Sequence, residues 1–273
     1  MSNLKEIRGR ISSVKSTLKI TSAMRLIASA KLHGAMNAIG NMLPYEQALR
    51  KILSDLPTGY ASERHDGARA VVLVTSNQTL CGSFNSNLMK AFLAQSYDRG
   101  DTVVYAVGKF GMKAARKEGY RVIDCCAMAS KPDYDASAAL AQQLAADYDA
   151  GRFGCVTVIY AHYASPSSQP IQISEFLPFE CEKDSSEKDE KAFIIEPDVR
   201  SVLEELIPKV LRLRLHTIFL DAAAAEHAAR TLAMQIASDN AEELLRELSL
   251  QYNKLRQQEI TNQILDLAAG SAE

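Results

Sequence analysis

No stretch of this 273-residue sequence strings together the roughly 18 to 20 apolar residues that a bilayer crossing demands. Its opening residues include charged Lys5, Glu6, Arg8 and Arg10 where a secretory signal would place an apolar core. Both absences lead to the expectation of a cytosolic protein that can sit beside a membrane without entering it. Tryptophan is missing and glycine is scarce, at 13 residues, as expected when long helices take up much of a chain. The five cysteines, Cys81, Cys125, Cys126, Cys155 and Cys181, form no C-x-x-C pair and no Cys/His cluster with zinc spacing. Buried reduced thiols are therefore expected, with no metal site. G-x-x-x-x-G-K-[ST] and G-x-G-x-x-G are both absent, which removes motif support for mononucleotide and dinucleotide binding and leaves no cofactor implied.

What is present is a heptad repeat. From Leu4 to Leu56 the a and d positions read Leu4, Ile7, Ile11, Val14, Leu18, Thr21, Arg25, Ala28, Leu32, Ala35, Ile39, Met42, Glu46, Leu49, Leu53 and Leu56, interrupted by Thr21, Arg25 and Glu46 alone. An apolar period of 3.5 residues marks a helix packed along its length against another helix in a left-handed supercoil. Pro44 should bend it, since proline lacks an N–H and crowds the preceding turn. Between residues 1 and 51, nine Lys or Arg face two Glu, a local charge of +7, whereas residues 200 to 273 hold eight basic and eleven acidic residues, or -3. A basic helix of this kind can be a solvated face, can steer into an acidic protein collar, or can bind a polyanion. Nucleic acid ranks low because the basic residues lack interleaved aromatics and no reading motif appears.

After Pro57-Thr58-Gly59 the pattern changes. Residues 70–75, 102–107, 121–124 and 156–160 read as buried strands, with a further strand over 169–176; residues 85–97, 109–117 and 136–149 read as helices. Such alternation predicts a mostly parallel α/β sheet. The run Glu182 to Lys191 (EKDSSEKDEK) has no apolar residue and predicts an exposed loop or a mobile hairpin tip. A second long helix should begin after Asp198, its N-cap, and no Pro or Gly interrupts Lys209 to Ala269. The predicted organisation is thus a helix over 1–58, a Rossmann-like α/β domain over 68–181, a loop and foot over 182–198, and a helix over 199–273. Since the α/β segment joins the end of one long helix to the start of the other, the two pair antiparallel. Setting Leu56 opposite Asp198 puts Leu4 opposite Leu250 and leaves a tip about 30 Å long unpaired. Apolar residues on that tip should sit inside a partner.

Chemistry is sparse. The loop from Ser76 to Asn85 follows the first strand, where doubly wound folds bind phosphates or hold a nucleophile, and it offers Cys81. A nucleophilic cysteine needs a neighbouring base or an electropositive setting, and the loop holds no histidine or basic residue; a tight packing turn accounts for Cys81 equally well. Histidines 33, 65, 162, 216 and 227 show no metal spacing, and His216 and His227 should pack on or beside the coil.

Six sequence words carry a resemblance: K-E-I-R-G-R-I over Lys5 to Ile11, K-I-T-S-A-M over Lys19 to Met24, L-C-G over Leu80 to Gly82, A-A-R-T-L-A-M over Ala228 to Met234, S-D-N-A over Ser238 to Ala241, and Y-N-K-L-R-Q-Q-E-I-T over Tyr252 to Thr261. With order and spacing kept across the chain, the sequence resembles the gamma subunit of bacterial-type F-type ATP synthase. The resemblance implies a long antiparallel two-helix coiled coil with a central Rossmann-like α/β domain, acting as a rotor shaft inside three alpha and three beta subunits. It implies no active site of its own, with the epsilon subunit and the membrane c-ring as further partners, at the cytoplasmic face of the cell membrane. Positions matching Met24, Arg25, Arg230, Arg256, Gln257 and Thr261 would contact the beta subunits, and those matching Phe193 and Glu196 would lie at the foot. The sequence departs from the family pattern where Asn77 and Gln78 replace charged residues, at Gln263, and at Gly270-Ser271.

Overall fold

The structure is a computed structural model that describes residues 2–54, 60–62, 65–130, 132–181, 195–196 and 198–270. Helix α1 covers Ser2–Ser54 and continues through Pro44. The central elements are β1 (Tyr60–Ala61), β2 (Ala68–Val74), α2 (Phe84–Ala94), β3 (Thr102–Val107), α3 (Lys109–Lys117), β4 (Arg121–Asp124), α4 (Ala127–Ser130), α5 (Tyr134–Asp149), β5 (Phe153–Ala161), β6 (Ile171–Leu177) and β7 (Glu180–Cys181). Helix α6 then covers Val199–Gly270, 72 residues. It starts as expected: Asp198 Oδ1 accepts from the Ser201 N–H at 2.9 Å, and these bonds to Ser201 hold the Asp198 carboxyl below its ordinary range. Compactness divides the chain into residues 1–28 with 230–273, and residues 29–229.

The first unit is an antiparallel helix pair. On α1, every a and d position from Leu4 to Ala28 is buried or half-buried, and of the other described side chains there only Ser22 is not exposed. On α6 the matching seam runs through Met234, Ser238, Ala241, Leu245, Leu248, Tyr252 and Leu255, at the alternating spacings of four and three that a coiled coil needs. Two of the three interruptions in the repeat find their partners here. The Thr21 and Ser238 hydroxyls meet at 2.8 Å in the buried seam, and Arg25 donates from its guanidinium to Gln235 Oε1. Pairing Thr21 with Ser238 brings Leu4 level with Leu255, five residues beyond the Leu250 that chain connectivity suggested. The unpaired tip is correspondingly shorter. Described side chains 260–265 are all exposed, and the helix from there to Gly270 is about 16 Å long.

The second unit is built on a five-stranded sheet in the order β4-β3-β2-β5-β6, parallel except for β6, which runs antiparallel to β5. Strands buried on both faces read as near-continuous apolar runs, and β2 (ARAVVLV) does so. Its side chains alternate between two cores: Ala70, Val72 and Val74 join α5, the end of α1 and the start of α6, whereas Val71 and Leu73 join α2 through Phe84, Leu88 and Phe92. Helix α5 is capped by Asp133, whose carboxylate accepts from the Ala136 N–H at 3.2 Å. Gly108 stands after β3 at φ +119°, where an added Cβ would lie 2.1 Å from the Thr75 carbonyl oxygen, so only glycine lets the strand ends close up.

Candidate functional site

Two places compete for function: the crevice at the end of the sheet, where α/β folds carry chemistry, and the outer faces of the helix pair. In an open α/β sheet the crevice lies beyond the carboxyl ends of the strands where the order reverses, here between β2 and β5. That place is taken. Ala222 and Ala223 of α6 stand against Val74, Thr75 and Val107, leaving a void of only about 10 Å³, and Ala225 and Ala229 pack in one cluster with Cys81, Phe84, Ile159 and Ala161. A run of side chains no larger than a methyl group lets the helix backbone come down onto the strand ends.

Cys81 sits in this packing at 3 % exposure. Its sulfur lies 3.3 Å from Asn85 Nδ2 and 3.8 Å from Ser76 Oγ, and Asn85 also donates to Ser76 Oγ at 2.7 Å. These neighbours are an amide and a hydroxyl, groups that orient a thiol but cannot take its proton at neutral pH. The loop above is tied by Asn77: its Nδ2 donates to the Cys126 carbonyl at 2.8 Å while its Oδ1 accepts from the Lys109 N–H at 3.0 Å. An amide supplies both a donor and an acceptor, which a carboxylate in that position could not, and this accounts for the departure at Asn77. Cys81, Cys125, Cys126 and Cys155 are free thiols; burial and then the Asp124 charge push the Cys125 thiol up to about 11.

The helix pair presents the opposite picture. Ile20, Met24, Leu26 and Ile27 of α1 are exposed, Leu26 by 66 %, as are Leu232, Ile236, Leu244, Leu250, Ile260, Ile264 and Leu265 of α6, Leu250 by 72 %. A seam already filled does not need these side chains, and apolar residues in such number on the outside mark a surface that another protein covers. Of the residues expected to contact partners, Met24, Arg256, Gln257 and Thr261 are exposed, the last bonding its hydroxyl to the Gln257 carbonyl at 2.9 Å. Arg25 is half-buried against Gln235, and Arg230 is buried, with 8 % of its surface open. Glu196 is exposed ahead of α6; Phe193 and the Glu182 to Lys191 loop lie outside the described residues. Sequence reasoning did not single out Ile20, Leu26, Ile27, Ile236 or Leu244, although their positions outside the a and d register were a readable signal.

No described helix is long and apolar enough to cross a membrane. A family model described as ATP synthase matches residues 3–272. The ATP synthase gamma chain of Phocaeicola vulgatus is 41 % identical over 287 residues, covering 99 % of both chains, and that of Bacteroides fragilis is 43 % identical over 288 residues, again 99 % of each. Among solved structures, a chain of the Euglena gracilis mitochondrial ATP synthase, described as OSCP/F1/c-ring, superposes with a TM-score of 0.71 at 17 % identity, covering 99 % of this chain and 94 % of that one. A second, from the rotor of the same enzyme, gives 0.65 at 19 % identity, covering 95 % and 99 %. At these identities the structural likeness establishes a common fold.

Proposed function

The chain belongs to the ATP synthase gamma-chain family, and from that premise we propose that its paired helices are the rotor shaft of a bacterial F-type ATP synthase. In this reading the shaft turns inside three alpha and three beta subunits and couples ion flow through the membrane c-ring to ATP synthesis or hydrolysis. The single observation that carries the reading is the apolar surface left outside a complete coiled-coil seam. A soluble helix pair gains nothing from exposed leucines and isoleucines, whereas a shaft inside a close-fitting collar needs a smooth, weakly hydrogen-bonding outside that can pass from one contact to the next.

The mechanism follows from asymmetry. Three identical catalytic sites change affinity only if something touches each differently, and a ligand or subunit shifts an equilibrium by no more than its differential contacts with the two states. A two-helix rod has no threefold symmetry, so each beta subunit meets a different face: the Met24–Ile27 face of α1, the Leu232–Ile236 face of α6, or the tip around Arg256, Gln257 and Thr261. The +7 charge of residues 1–51 steers the rod into an acidic collar. The chain itself is non-catalytic; its sheet crevice is filled by α6, and the chemistry belongs to the beta subunits. Residues 29–229 face the epsilon subunit and the c-ring at the cytoplasmic face of the membrane, with Phe193 and Glu196 at the foot.

Reconstitution tests this. Mixing the full chain with alpha and beta subunits of the same organism should yield a hexamer containing one copy of the chain and active in ATP hydrolysis. A chain ending at Glu259 should assemble but hydrolyse and generate torque less well. Failure of the full chain to enter any alpha-beta complex across low and high salt would sink the proposal.

A further inference from the structure

Within residues 29–229, a cavity of about 450 Å³ opens between α1, α6 and the β5–β6 pair, in the size range of small-molecule sites. Met36, Ile39, Gly40 and Leu43 line it from α1 at the spacing i, i+3, i+4, i+7, so they form one helical face. Gly40 leaves that face open at its centre: an added Cβ there would meet nothing within 4 Å. Across from it, Ile218 of α6 and Tyr160 of β5 add apolar surface. Met36 and Leu43 are 41 % and 42 % exposed, so this wall still has surface to gain from burial. The charged side chains of the lining are already engaged. Asp221 accepts from the Tyr163 N–H at 2.9 Å and lies 2.7 Å from His162 Nδ1. Arg214 donates to Ser174 Oγ and to the Glu175 carbonyl, each at 3.0 Å, and Glu46 has a partner as well. A charged ligand would therefore give up its hydration without meeting a free counter-charge.

We propose that this cavity binds an uncharged, flat ring compound that carries a single hydrogen-bonding group at its edge. The apolar face of Met36, Ile39 and Leu43 takes the rings, with the opening at Gly40 giving them depth. Tyr160 takes the polar edge. Its hydroxyl has no hydrogen-bond partner among the described residues, and its oxygen keeps surface open to a ligand. Burial, then the Asp221 charge, holds the phenol above its ordinary range, so it stays protonated at neutral pH. A phenol hydroxyl both donates and accepts, so an amine, a hydroxyl or a carbonyl at the edge of the ring compound fits it.

Fluorescence titration of the full chain with ring systems of one size and different charge tests the site: 1-aminoanthracene, uncharged in neutral buffer, against the cation 9-aminoacridine and the anion 9-anthracenecarboxylate. The expected result is saturable binding of one 1-aminoanthracene per chain, about tenfold tighter than either charged ring. Gly40→Leu should weaken it about tenfold while leaving the melting temperature the same or higher, since leucine favours a helix over glycine. Tyr160→Phe, which keeps the ring and removes the hydroxyl, should weaken it several-fold. Leu250→Gln, on the exposed face of the helix pair, should leave it unchanged. No saturable binding, a charged ring bound as tightly as the uncharged one, or binding that either Gly40→Leu or Tyr160→Phe leaves unchanged overturns the proposal. So does a loss on Leu250→Gln equal to that on Gly40→Leu, which would place the dye on the helix pair.

Discussion

Thr21 looks out of place in an apolar seam, yet its hydroxyl meets Ser238 in a buried pair 217 positions apart in sequence. Replacing one member strands the other, so Thr21→Val should cost about 1–2 kcal/mol, read by urea unfolding, while adding Ser238→Ala should recover part of that loss. Such a pair also fixes register, because sliding the helices by one turn leaves both hydroxyls buried against hydrocarbon. His216 is the other residue with a direct consequence. It is buried, with Nδ1 3.2 Å from Ser137 Oγ and its ring 5.4 Å from Tyr134, and burial holds its pKa below the ordinary 6.5. Below pH 6.5 the unfolded chain takes up the proton first, so this group's full stability is present above 6.5 and is lost as pH falls. One extra proton on the unfolded chain gives a slope of up to about 1.4 kcal/mol per pH unit. Urea unfolding of His216→Phe between pH 5 and 7 should show a shallower slope than the natural chain. The sequence placed His216 on the coil but could not give its neighbours, since Ser137 and Tyr134 come from a helix about eighty residues away.

Among the elements, α6 does two jobs that leave different signatures. From Met234 onward it faces one partner helix and keeps the coiled-coil period; between Val210 and Ala229 it is covered by α1, the sheet and α2, and none of its residues is exposed whatever their position in the turn. A helix covered on all sides has no apolar stripe, which is why its partners were not legible there, whereas the repeat of α1 was readable nearly residue by residue. The strands were legible because parallel strands buried on both faces are runs of Val, Ile and Leu; the antiparallel direction of β6 was not, since alternation alone carries no direction. The register of the helix pair was misplaced by five residues because loop connectivity does not measure where the helices leave the sheet. Two substitutions separate the jobs of α6. Ala225→Leu, at a fully buried site against the strand ends, should cost about 1–3 kcal/mol by overpacking. Leu250→Ala, on the exposed face, should change stability by less than about 0.5 kcal/mol yet weaken assembly with alpha and beta subunits. Thermal unfolding of the free chains, with gel filtration of the assembled complexes, reads both.

For the whole molecule, function lies in surfaces that the fold leaves unfilled. The sheet has the topology of a ligand-binding fold, but its crevice holds alanines of α6, and the side chains with most to gain from burial stand on the outside of the helix pair. A protein organised in this way acts by being held and turned. The most direct test immobilises the reconstituted hexamer by its beta subunits and follows, by single-molecule microscopy, a bead fixed to residues 29–229. With ATP present the bead should turn in one direction, in steps of about 120° that reflect three equivalent sites around one asymmetric shaft. ATP hydrolysis at full rate with the bead stationary or drifting at random would contradict the account.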